Sequence, residues 1–299
     1  MESFINKKTT LIRTICFMAF FVAINVICSL LSVYVPVVSI ILIIFLPLTS
    51  AVVEINCKDR YFPIYALATI GLSIVVGLSQ IDFTIFYIIP SIFTGYIFGL
   101  ISKKNFPDMF AIFFASLIQT GLSLAFIPLI NVVSGTNLFD FIAKILKISD
   151  RFWFNTLIVL LFFLVSLIQT ILSFIVVDNE LKKMGIKNTQ NNENNLVANI
   201  CVFFSAVLTL VFGFFLVKIA YLFMAFAFYF VAFIILSEIK KNKIVLLVVD
   251  AGMLLLGIFI YAFTYQLLPI GTDFLLFATI PTLISICSMV DYFLKKSKE

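Results

Sequence analysis

Between its short lysine-bearing segments the chain runs apolar for about twenty residues at a time, over and over. No motif constrains the fold as much as that pattern. A helix needs about 20 apolar residues to cross roughly 30 Å of hydrocarbon. Inside lipid, backbone N–H and C=O groups must be satisfied without water, which a helix does within its own segment. Ten such runs are legible: 12–33, 37–54, 63–80, 83–102, 108–133, 154–177, 197–216, 219–237, 244–265 and 274–294. The seventh and eighth form one apolar stretch, too long for a single span and broken chiefly by Lys218, so a tight hairpin is expected there. The expected fold class is all-α, a polytopic integral membrane helix bundle with about ten transmembrane helices.

Composition points the same way. The chain is 63% hydrophobic and 12% charged, with mean hydropathy +1.20, whereas soluble domains are roughly half apolar and about a quarter charged. With so little polar surface, most of the exterior must face lipid. Placement of the cations then orients the bundle. With the N-terminus inside, 16 of the 20 Lys and Arg residues fall in inner segments, and Lys144, Lys147, Arg151 and Lys218 fall outside. The positive-inside rule therefore predicts both termini in the cytoplasm. Abundant Phe, Ile, Asn and Lys suggest an AT-rich bacterial genome, hence a multi-pass protein of the bacterial cell membrane. The first run is too long in its apolar part for a cleaved signal peptide.

Several chemistries are absent from the residues. There is no histidine, which removes the usual general base and the commonest zinc ligand. Cys16, Cys28, Cys57, Cys201 and Cys287 are scattered with no C-x-x-C pair, so no disulfide framework or metal knuckle is readable. No Gly-x-x-x-x-Gly-Lys loop occurs, and an ATPase would have to be a separate subunit. The net charge of +5 sits at the ends of apolar runs, as membrane topology demands and nucleic-acid binding does not. The expectation is no catalysis, no cofactor, no metal and no nucleic acid.

One long polar stretch, "DNELKKMGIKNTQNNENNLV" from Asp178 to Val197, divides the chain. Its low-complexity centre cannot bury enough apolar area to offset ordering entropy. The expected organisation is a six-span domain over 1–178, a flexible cytoplasmic linker over 179–196 and a four-span domain over 197–299. An external segment, "NLFDFIAKILKISDRFW", has helical periodicity, with Asp140, Lys144, Lys147 and Arg151 on one side. It is expected to lie flat on the outer surface, anchored by Trp153. It either packs over the bundle or acts as a lid.

Candidate sites come from small and polar residues inside the runs. Ala19 and Ala23, four apart in a bulky first helix, make a shallow groove on one face. Gly95 and Gly99 in "GYIFG" make another. Each pair either packs inside the protein or docks a membrane partner. Asp250, in "LLVVDAGMLLL", lies roughly 9 Å into its helix by helical rise. An ionisable residue at that depth is a site candidate; proton or cation carriage, pairing with an inner-loop lysine, and reaching the interface all remain open. Asp291 sits nearer the inner surface, where anchoring is favoured. Asn25, Gln80, Asp82 and Gln119 fall in the middle or outer half, with Gln169 deeper. They suit either a small polar solute or hydrogen bonds between helices.

The alanine strip, followed by "VYVPVVSIILIIFLPLTS", a short cationic loop and "PSIFTGYIFGLISKKN", resembles the substrate-binding (S) components of energy-coupling factor transporters. Those are six-helix membrane proteins whose first helix docks through an alanine-x-x-x-alanine strip on a transmembrane coupling subunit, itself driven by ATPases. The resemblance implies that Ala19 and Ala23 are the docking residues. Over nearly the full length, "IFLPLTS", "GYIFGLISKK", "IVVDNELKKMGIK" and "SICSMVDYFLKKSK" are similar to the YybS-like family of Gram-positive membrane proteins, which implies architecture rather than chemistry. The expected function is therefore solute binding in an S-component-like first half, for uptake with partner subunits. A non-transporting scaffold recruiting partners through small-residue faces is the alternative, and a secondary carrier using Asp250 is a third.

Overall fold

The computed structural model describes residues 11–78, 84–104, 106–135, 137–146, 151–184, 195–213, 215–240, 244–264 and 279–296. Every element among them is helical. In chain order they are α1 (Leu11–Tyr34), α2 (Pro36–Asn56), a short 3-10 turn (Asp59–Tyr61) and α3 (Phe62–Val76). A π-helical turn (Thr84–Ile88) leads into α4 (Ile89–Lys104), followed by α5 (Asp108–Ser134) and α6 (Leu138–Leu146). Then come α7 (Arg151–Lys183), α8 (Asn195–Gly213), α9 (Val217–Lys240), α10 (Ile244–Thr264) and α11 (Thr279–Lys296).

Local sequence explains most of the breaks. Proline stands in the first turn of α2 and of α3, where its missing N–H is an orphan anyway and its fixed φ suits a helix start. α5 ends on Gly135 at φ 66°, a left-handed cap that glycine adopts without steric cost. The long apolar stretch around Lys218 is two helices. Its break falls at Phe215 and Leu216, whose amides turn back onto the Phe212 carbonyl, so Lys218 belongs to the first turn of α9. Two other expectations shift. α7 stays helical to Lys183, past the expected start of the linker. The backbone of Trp153 belongs to α7, while the short helix α6 ends at Leu146.

Six helical stretches among the described residues are long and apolar enough to cross a membrane: Leu11–Leu31, Asp59–Val76, Asp108–Val132, Ile158–Lys183, Leu196–Gly213 and Ile219–Glu238. Ile41–Asn56 and Thr279–Asp291 are shorter apolar helices.

The chain divides into two compact units. The first comprises Met1–Lys147 and Phe162–Asn191. Its α2 is the central helix. Leu46 and Val53, seven apart, meet Met18, Val22, Tyr65 and Ile92 in one apolar cluster. Ala51 and Val52 join Phe98, Ala111, Ala115, Val177 and Leu181 in a second. The second unit comprises Ile148–Leu161 and Asn192–Glu299. There α9 packs along α8 and buries Ala220, Ala227 and Ile234 at seven-residue spacing, a narrow seam that allows close approach.

Candidate functional site

In the first unit, Asn25 reaches inward from α1 and is 1% exposed. Its Nδ2 donates to the Tyr65 hydroxyl on α3 at 2.7 Å. The Thr49 hydroxyl on α2 lies 2.8 Å from Asn25 Oδ1 and 2.7 Å from the Leu46 carbonyl, and donates to one of them at a time. Ser50 Oγ stands 3.2 Å from the Tyr65 oxygen. Three helices are thus tied at one buried polar point. These bonds use one N–H and one oxygen lone pair of an amide that has two of each.

Gln119 on α5, also buried, makes a second point. Its Nε2 donates to Gln169 Oε1 on α7 at 2.5 Å. Its Oε1 accepts from Thr170 at 3.3 Å and from Thr94 on α4 at 3.5 Å. The structure does not bring Asn25 and Gln119 into one hydrogen-bonded cluster: the first ties α1, α2 and α3, the second α4, α5 and α7. Gln80 and Asp82 lie outside the described residues.

Ala19 and Ala23 are exposed. They lie in an open groove of about 650 Å³ between α1 and α3, walled by Leu11, Ile15, Ile27, Ile64 and Leu72. Gly95 and Gly99 face inward instead, against α2. A Cβ on Gly95 would sit 2.3 Å from the Pro47 carbonyl oxygen and 2.6 Å from the Ser50 Cβ. One on Gly99 would sit 2.6 Å from the Glu54 Cβ. Only glycine admits the observed approach of α2 and α4.

The sequence reading passes over one charged cluster in this unit. Glu54, on the last full turn of α2, is 0% exposed. Lys103, at the end of α4, donates to Glu54 Oε1 at 3.0 Å, to the Cys57 carbonyl at 3.0 Å and to Asp59 Oδ1 at 2.6 Å. All three ammonium hydrogens thereby find acceptors. Burial alone would lower the Lys103 pKa, but the Asp59 and Glu54 carboxylates outweigh it and hold the ammonium above its usual range. An acid at the end of an apolar run reads as a span boundary, which is why Glu54 escapes notice. That it is the one acid in that run is the signal that was available.

In the second unit, Asn199 on α8 accepts from Ser285 on α11 at 2.8 Å and lies 3.4 Å from Ser288. Asp250 on α10 is 3% exposed. It lies beside Glu238 of α9, which is 0% exposed, and Cys287 of α11 is in the neighbourhood of both. Glu238, too, sits at a run's end and escapes the sequence reading. Among the described residues, no group of three metal-ligating side chains occurs.

The class of protein these helices define is an all-helical one with the features of an integral membrane protein: long apolar helices, bulky apolar side chains outward and polar ones inward. No family model, no curated protein and no solved structure matches the chain.

Proposed function

We propose that the chain is a multi-span membrane protein that docks over Ala19 and Ala23 onto a transmembrane helix of a coupling subunit, its first unit holding a small polar solute for uptake. The groove between α1 and α3 is the observation that carries this reading. It follows α1 from Leu11 to Ile27, roughly 24 Å at the helical rise, most of the thickness of the hydrocarbon core. A groove that long and apolar, with exposed alanines in its lining, suits a helix packed at close range. In lipid such association depends on shape, because lipid tails are as apolar as leucine. The solute would interact with the amides of Asn25 and Gln119, with Gln80 and Asp82 as further candidates. Both termini would lie in the cytoplasm of a bacterial cell.

The test is co-expression of the tagged chain with an energy-coupling factor's coupling subunit and ATPases, followed by purification in mild detergent. The three should co-purify with the wild type, and Ala19→Leu with Ala23→Leu should reduce their recovery at least tenfold while leaving the chain's own yield unchanged. No co-purification with the wild type, or full recovery with the double variant, would contradict the reading.

A further inference from the structure

We propose that Glu238 and Asp250 form a proton-binding site in the second unit, one proton being held between the two carboxyl groups. The site is built by α9 and α10, with Cys287 of α11 in the neighbourhood of both acids. Glu238 stands two residues before the end of α9, and Asp250 stands about 9 Å into α10 by helical rise. Both side chains are withdrawn from the surface, at 0% and 3% exposure.

The chemistry follows from that placement. Two ionised carboxylates side by side in a low-dielectric interior repel one another, and each also loses its hydration. An ionised carboxylate only accepts hydrogen bonds. Neither oxygen of Asp250 meets a donor among the described residues, although its carboxyl lies within bonding reach of Glu238. A single proton resolves both difficulties. The protonated carboxyl becomes a donor, its O–H pointing to the other group's oxygen, and the pair carries one negative charge instead of two. Acids within membrane spans mark proton relays in pumps and transporters.

α11 contributes the Cys287 thiol. From α8, the buried amide of Asn199 joins α11 through Ser285 and is uncharged. Lys240 ends α9, Lys241 and Lys243 belong to the segment that joins α9 to α10, and the three side chains lie outside the described set. One of these lysines is the rival source of neutralisation, and a sodium ion is another.

Infrared spectroscopy of the full chain in lipid nanodiscs separates the three. The wild type at neutral pH should show the carbonyl stretch of a protonated carboxylic acid, shifted on exchange into heavy water. Asp250→Asn and Glu238→Gln should each displace that band, and the double variant should lose it. The double variant keeps side-chain shape and permits an amide–amide hydrogen bond, so its thermal unfolding in nanodiscs verifies that the fold survives. Three results would overturn the proposal: no such band in the wild type at neutral pH, a band unchanged in the double variant, or a band that appears only when sodium is replaced by choline.

Discussion

A methyl group added at Gly95 probes the tightest approach found in the first unit. The Pro47 carbonyl oxygen that it would meet at 2.3 Å is backbone and retreats only if α2 moves. Gly95→Ala should therefore destabilise the detergent-purified protein by about 1–3 kcal/mol, the usual cost of overpacking. Gly121→Ala is the control, because a Cβ there has open space within 4 Å. It should be neutral or stabilising by up to about 1 kcal/mol, since alanine is the better helix former. Thermal unfolding of the two variants checks both signs at once. The spacing of Gly95 and Gly99 makes a close helix crossing legible in sequence. That α2 is the partner is not legible, because a four-residue spacing names a face and not the helix against it. Asn25 illustrates the same limit. An amide in an apolar run announces a buried polar contact, while Tyr65 and Thr49, which complete it, read as ordinary helix residues.

Among elements, the junction of α2, α3 and α4 depends on Lys103. Its ammonium links Glu54, the Cys57 carbonyl and Asp59, so one side chain fixes the end of α4 to the turn between α2 and α3. The two acids are not equivalent partners. Glu54 is fully buried and the Asp59 side chain is 61% exposed. Removing the lysine leaves a buried carboxylate without its counter-charge, which costs roughly 3–5 kcal/mol for a fully buried pair. Lys103 is partly exposed, so Lys103→Met should fall near the low end of that range. Asp59→Asn should cost under about 1 kcal/mol, as exposed pairs do, and adding Glu54→Gln to Lys103→Met should recover most of the loss. Unfolding transitions of the four proteins give the comparison. Because its pKa is raised, the lysine's own protonation contributes fully below its ordinary value, and that contribution is lost as pH rises through the raised one. Periodicity and length locate α2 and α4 in the sequence. The latch between them is hidden because all its charged groups sit at helix ends, where charges are expected for topological reasons.

At the scale of the molecule, polarity is arranged opposite to that of a water-soluble protein. Phe20, Leu67, Val132, Phe204 and Leu255 are exposed, while Asn25, Thr69, Gln119, Thr170, Asn199 and Asp250 are buried. In water, apolar faces of this extent would aggregate. In lipid they are solvated, and the buried polar groups join helices that apolar contact alone cannot distinguish. This inversion follows from the repeated apolar runs, which is why the helical architecture could be read from sequence. The count could not be read as securely. Ten apolar runs are legible in the sequence, and among the described residues six helical stretches satisfy both length and composition.

The account rests on lysine-flanked apolar helices crossing a bilayer with those lysines on the inner side. Reporter fusions test it most directly. Alkaline phosphatase, active only outside the cytoplasm, and a fluorescent protein that matures inside are each joined after Lys241 and after Gly135. The account predicts fluorescence without phosphatase activity at Lys241 and phosphatase activity without fluorescence at Gly135. Phosphatase activity at Lys241 would contradict it.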